Sequence, residues 1–222
     1  MQVRSGWLRL ERGDYGLDKW TLGESVYALA WTTKKKELQG DKWAMGIHDF
    51  KDNPQWVDYR FSRTLQEKLP PLISALGLRG QTIHVATALP SDSTKSSRYD
   101  PLHGLAKGLC ASLKDLKLKF QPDLLTKEVH QSLKYMRDGD AMDAEIRGKY
   151  ECECLRESNP VILVLDDLVT QGSTFSEIRR AITEANKGAR VVPIALGKHV
   201  FPDVFQEIIG SANGNDERLG PW

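Results

Sequence analysis

Two adjacent carboxylates, Asp166 and Asp167, stand between an apolar run and a small polar one. Val161-Ile-Leu-Val-Leu165 precedes them, and Val169-Thr-Gln-Gly-Ser-Thr174 follows, leading through Glu177 into a helical pattern. Apolar runs of this kind read as buried parallel strands. In open α/β sheets ligands bind beyond the carboxyl ends of the strands, so the acids fall where a ligand would sit. Residues Thr170 to Thr174 can then turn backbone N–H groups toward an anion at the start of the next helix, where free amides and the helix dipole favour phosphate. A sugar phosphate needs both parts. Its vicinal hydroxyls donate to carboxylates, and its dianion suits the amides. Gly172 permits a backbone conformation closed to other residues. The G-x-x-x-x-G-K-[ST] pattern of a Walker loop is absent.

The stretch from Ile162 to Thr174 resembles the phosphoribosyl-pyrophosphate (PRPP) motif of type I phosphoribosyltransferases, which is four apolar residues, two acids and a run of small residues. The resemblance implies that Asp166 and Asp167 hold the ribose hydroxyls. It also implies that Val169, Thr170, Gln171, Gly172, Ser173 and Thr174 cradle the 5′-phosphate. Gln171 stands where the family usually has a small residue. An Asp pair ending a strand also occurs in receiver-type domains, where it binds magnesium, but near the chain start and without this Gly-Ser-Thr turn.

Composition sets the frame. The chain has 222 residues, enough for one α/β domain with an extension, or two small ones. Its 40% hydrophobic and 27% charged content is that of an ordinary soluble globule. A net charge of +1 gives no global pull toward nucleic acid or membrane. No apolar run approaches a membrane span, and the N-terminus shows no signal-peptide core. Three cysteines, Cys110, Cys152 and Cys154, imply a reducing, cytoplasmic setting without a disulfide framework. Cys152-x-Cys154 lacks the spacing of a zinc knuckle, and the five histidines form no metal set.

The elements around the motif follow from periodicity. Residues 1–77 form an extension holding five of the six tryptophans, read as packing or as an aromatic surface for bases or a partner. Within it Ser25 to Trp31 reads as a strand, and Phe61 to Leu76 as an amphipathic helix interrupted by Pro70-Pro71. The core spans 78–210. It reads as a strand over Gln81–Ala88, a polar loop over Ser91–Arg98, a helix over Pro101–Leu116 and a short strand over Phe120–Leu125. Glu128–Tyr150 reads as a mobile loop with partial helix. The motif strand covers about 160–166 and its helix about 173–187, with Gly188 as cap; the strand Arg190–Leu196 follows. Strands alternating with helices imply a parallel sheet. Residues 211–222 read as a polar tail. His84 reads as structural, and Glu177 as facing solvent.

Other segments resemble the ComF-like (competence-protein) branch of the family. Ile47-His-Asp-Phe-Lys51 is similar to its I-H-x-x-K-Y stretch. Ala88-Leu-Pro90 and Arg98-Tyr-Asp-Pro101 occupy the places of its V-P turn and R-G-F-N-Q helix start. His130-Gln131 and Ile146-Arg-Gly-Lys-Tyr150 partly echo its flexible loop. The branch's four-cysteine zinc element is missing. The resemblance implies an α/β type I phosphoribosyltransferase-like core with an N-terminal extension. It implies magnesium held through the substrate near Asp166 and Asp167, with no dedicated protein cage. It further implies pyrophosphate contacts from Lys51, Ser91, Asp92, Lys95 and Arg98, and closure by Arg147 and Lys149 of the flexible loop. Magnesium-dependent transfer of a phosphoribosyl group to or from a nitrogenous base is one expected function. The alternative is a non-catalytic module that senses PRPP or a nucleotide and acts with a protein partner in DNA uptake or bacterial defence. A third reading assigns nucleic-acid handling to the tryptophan-rich extension, and pairing with a second copy is a further expectation for it.

Overall fold

The computed structural model describes residues 7–21, 23–38, 42–50, 54–90, 100–129 and 139–212. Along the chain come β1 (Leu8–Leu10), β2 (Val26–Ala28), β3 (Trp31–Thr32), α1 (Lys42–Asp49), α2 (Pro54–Ala75), β4 (Ile83–Thr87), α3 (Asp100–Ser112), β5 (Leu118–Phe120), β6 (Leu125–Lys127), α4 (Gly139–Ile146), β7 (Tyr150–Cys152), β8 (Val161–Val169), α5 (Ser173–Ala185), β9 (Arg190–His199) and α6 (Pro202–Ala212). Seven strands form one sheet in the order β1-β2-β9-β8-β4-β5, with β3 continuing the β2 edge along β9. Among the described strands of this sheet only β1 runs antiparallel to its neighbour. The protein is therefore an α/β fold with a mostly parallel central sheet flanked by helices. No helix among the described residues is long and apolar enough to cross a membrane.

The two faces of the sheet have separate cores. Ile83, Val85, Leu163, Leu165, Ile194 and Leu196 pack against apolar residues of α1, α2 and α3. Val26, Ile162, Val164 and Ala195 pack with Phe175, Ile178 and Ile182 of α5 and Phe205 of α6. The central strands β8 and β9 thus bury side chains on both faces, which is why their sequences are nearly continuous apolar runs. Burying each such Leu, Ile or Val contributes about 1.5–3 kcal/mol.

This topology places a crevice. From β4 the chain crosses by α3, on the first face, to β5 at the edge. From β8 it crosses by α5, on the opposite face, to β9 on the other side. The connections leave the carboxyl ends of β4 and β8 in opposite directions, and ligands of open α/β sheets bind at such a switch point. The extension belongs to the same sheet, since β1, β2 and β3 all lie on its β9 side.

Several expected boundaries differ. Pro70-Pro71 do not interrupt α2. The carbonyls that lose a partner, those of Gln66 and Glu67, lie on half-buried and exposed residues, while the stripe Phe61, Leu65, Leu69, Leu72 and Ile73 stays buried across the prolines. The single strand expected over Phe120–Leu125 divides at Pro122 into β5, on the main sheet, and β6, which pairs antiparallel with β7. The motif strand runs three residues past Asp166. Its helix ends at Ala185 rather than 187, capped by Asn186, whose N–H donates to the Ile182 carbonyl at 2.8 Å. Gly188 lies beyond that cap, at φ +77°. Ser211 and Ala212, assigned to the tail, close α6; residues 213–222 lie outside the described residues.

Candidate functional site

Asp166 and Asp167 sit near the carboxyl end of β8, beside β4. The pairing of these strands continues past β4, where Ala88 N–H donates to the Leu165 carbonyl at 2.8 Å. Val161, Leu163 and Leu165 face the first core, and Ile162 and Val164 the second. Beyond the acids Leu168 packs toward the first and Val169 toward the second. The period-two alternation of a strand therefore slips by one across the Asp pair. Asp166 is buried, at 9% exposure, and its Oδ1 accepts the Asp167 N–H at 2.8 Å. Asp167 is half-buried.

The loop after the acids has a simple backbone logic. All its peptides are trans, and in a trans peptide the C=O and the next N–H point in opposite directions. The Thr170 carbonyl accepts the Lys198 ammonium at 2.5 Å. The Gln171 carbonyl accepts Lys19 N–H at 3.0 Å, and the Gly172 carbonyl accepts Ser176 N–H at 2.9 Å. Three successive carbonyls are thus tied back, which turns the N–H groups of Gln171, Gly172 and Ser173 the other way. These amides have no protein acceptor among the described residues. Gly172, the N-cap of α5, has φ +93° and offers no side chain to cap the helix, so the first-turn amides stay open at its positive end. The result is a concave row of donors suited to an anion.

The extension holds this loop from behind. Leu17 and Trp20, 0% and 1% exposed, pack beside Gly172. Ser176 Oγ donates to the Lys19 carbonyl. The Trp20 ring meets Phe175 edge-on at 6.4 Å, and its indole N–H donates to the Glu24 carbonyl at 3.1 Å. Arg179 of α5 grips Glu24 with two bonds, at 2.5 and 2.7 Å. Trp7, Trp20 and Trp31 are therefore packing residues; Trp43 is partly buried against the first core.

The antiparallel β6–β7 pair braces the segment that follows β4. The Tyr150 hydroxyl accepts the Leu89 N–H at 2.9 Å and donates to the Leu89 carbonyl at 2.8 Å, and Lys127 Nζ donates to the same carbonyl at 3.0 Å. Glu177 does not face solvent. It is 6% exposed, accepts Tyr150 N–H at 3.3 Å and pairs with Arg180 at 2.6 Å, while Arg180 also donates to the Tyr150 carbonyl at 2.8 Å. The pair lies one helical turn into α5 and fastens β7 to it, and side-chain–backbone bonds of this kind cannot be read from local periodicity. Arg147 is exposed and Lys149 pairs with Glu128 at 3.0 Å; among the described residues no hydrogen bond or ion pair joins either to the Asp pair or the loop. Lys51, Ser91, Asp92, Lys95, Arg98 and His130 lie outside the described residues.

Lys198 carried no signal in the sequence, being one lysine at the end of an apolar strand. It is 1% exposed, and burial, against the pull of Asp18, lowers its pKa from 10.5 to about 8. Burial, then His48, Lys198 and Lys34, lower His199 to about 4, so its ring is neutral at pH 7. Burial pushes the Cys110 and Cys152 thiols up to about 11, which keeps them protonated and poorly nucleophilic. His84 is structural, bonded to Glu157 and, at 3.0 Å, to Gln121. Carboxylate oxygens suit a hard cation such as magnesium, but among the described residues no three His, Cys, Asp or Glu converge into a cage. A cleft of about 470 Å³ lined by Arg9, Glu24, Arg179 and Arg190 lies at the other end of β9.

No model of a known protein family matches the chain, and no curated protein matches it in sequence.

Proposed function

We propose that the carboxyl ends of β4 and β8 bind the ribose-5-phosphate part of PRPP or of a nucleotide, and that the protein transfers a phosphoribosyl group to or from a nitrogenous base. The observation that carries this reading is the row of carbonyls at Thr170, Gln171 and Gly172, each tied back so that three amides stay open beside two carboxylates. The amides would take the 5′-phosphate, and Asp167 with the outer edge of Asp166 would accept the ribose hydroxyls. In the transfer, the C1–O bond to pyrophosphate breaks with its electron pair going to the leaving group, and the base nitrogen forms the new bond. Charge builds on C1 as in glycoside cleavage, so two carboxylates below the ribose favour that state electrostatically. Magnesium, held by substrate oxygens near Asp166 and Asp167, would offset the pyrophosphate charge. The type I phosphoribosyltransferase-like identity, the ComF-like relationship and the cytoplasmic setting belong to this same proposal.

A second reading keeps the ligand and removes the chemistry: the site senses PRPP or a nucleotide and acts through a partner protein. The burial of Asp166 favours it, because one oxygen of that acid already serves the strand's own backbone. Calorimetric titration of PRPP with magnesium into wild type and the Asp166→Asn/Asp167→Asn double variant tests the shared step. Binding weakened at least about tenfold in the variant, roughly 1.4 kcal/mol, is expected. A wild type that binds neither PRPP nor nucleotides would refute both readings, and turnover of PRPP with a base would separate them.

A further inference from the structure

We infer that Lys198 is a positioning residue for the anion loop: its buried ammonium, reaching across from β9, pulls the Thr170 carbonyl away from the ligand side and so fixes the Gln171 amide toward it. The inference rests on the ribose-phosphate reading of the loop.

Lys198 stands in register opposite Val169 on one side and Trp31 on the other, at the carboxyl end of the central strand pair. Its ammonium donates to two carbonyls, Thr170 at 2.5 Å and His199 at 3.1 Å. Asp18 attracts it, but among the described residues no carboxylate lies within salt-bridge distance of it. Burying an ammonium without an ion-pair partner is costly, and an apolar side chain of similar length would fill the space without that cost. What the cation does, and an apolar chain would not, is hold one end of a peptide whose other end opens into the site. A charge-assisted bond also outlasts a neutral one.

The neighbouring anchors have a different character. The Gln171 and Gly172 carbonyls are held by backbone N–H groups, of Lys19 and Ser176. Among the described residues no backbone N–H donates to the Thr170 carbonyl, and a side chain does so instead. If that peptide turned over, the Thr170 carbonyl would enter the donor row and repel a phosphate, removing one donor and adding one acceptor. A second sign of an unfinished site is adjacent: the Gln171 side-chain oxygen is buried and has no partner among the described residues.

The test uses Lys198→Met, which keeps length and removes the donor, with inorganic phosphate and ribose 5-phosphate as probes. Amide ¹H–¹⁵N spectra report the loop directly. In wild type the Gln171 and Gly172 cross-peaks should move downfield on phosphate binding. In the Met variant that displacement should be lost and both affinities should fall at least tenfold, with the β8 and β9 cross-peaks little changed. Equal affinity and equal displacement in the variant would overturn the role of Lys198 while leaving the anion loop standing. A wild type without any phosphate response would overturn the loop reading, and this inference with it. A measurement independent of the variant follows the Lys198 ammonium protons in wild type. They should exchange slowly and slow further on phosphate saturation. Exchange at the rate of an exposed lysine would overturn the bond to Thr170.

Discussion

Gly172→Ala probes the loop at its tightest point. Residue 172 has φ +93°, where an L side chain costs about 1–2 kcal/mol. A methyl group there would lie 3.2 Å from Leu17 Cδ1, 3.3 Å from Trp20 Cβ and 3.4 Å from the Trp20 nitrogen. These neighbours are buried and one atom is backbone, so they yield little, and overpacking adds about 1 kcal/mol. The smaller backbone entropy of the unfolded alanine chain returns about half a kcal/mol. The net expectation is a loss of about 2 kcal/mol, or about 6 °C in Tm for a chain of this size. Gly148→Ala serves as the internal standard: φ is +75° there, but no atom lies within 4 Å, so only the strain less the same entropy return, a net of about 1 kcal/mol, should appear. Urea denaturation of the two variants and wild type measures both, and phosphate titration of the folded proteins measures the loop. Gly172→Ala should lose phosphate affinity and Gly148→Ala should keep it. Equal stability losses in the two variants, with phosphate affinity intact at 172, would refute the packing of the extension against the loop.

Further expectations concern the residues that surround it. Because the folded pKa of Lys198 lies near 8 and its ordinary value is 10.5, the unfolded chain holds more protons between those limits, and stability should rise with pH across them. Relative to Lys198→Met, wild type should gain about 3 kcal/mol from pH 7.5 to 10.5; a difference that stays flat with pH in urea titrations would mean the ammonium is not desolvated. Glu177→Gln removes a buried carboxylate paired with Arg180 and should cost about 1–3 kcal/mol. Hydrogen exchange should show the loss concentrated in β7, and unaltered exchange at Tyr150 would refute the fastening role of Glu177.

The sequence alone determined the parts whose cause is local. The run Val161–Leu165 declared a buried strand because a strand covered on both faces has no polar position to show. Asp166, Asp167 and the small residues to Thr174 marked the region where the strand gives way to α5, because Gly172 and the helix start are backbone features written in single residues, but the strand itself runs past the acids to Val169. The alternation of strands and helices likewise declared an α/β fold. Tertiary structure decided what depends on distant chain segments meeting. Lys19 lies more than 150 residues before Gln171 in the chain, and Lys198 reaches Thr170 from the next strand, so neither could be weighed from its own neighbours. Glu177 looked like a surface residue because its helical position alone fits solvent; β7, which bonds to it through Tyr150, is brought there by long-range packing and pairs with β6 across more than 20 residues of chain. Pro70-Pro71 looked like a helix break because the local rule concerns the missing N–H, whereas the buried stripe of α2 holds the helix together across it. Local sequence fixes conformation where one residue's sterics or one period dominates, and packing decides wherever a polar group's partner comes from elsewhere in the chain.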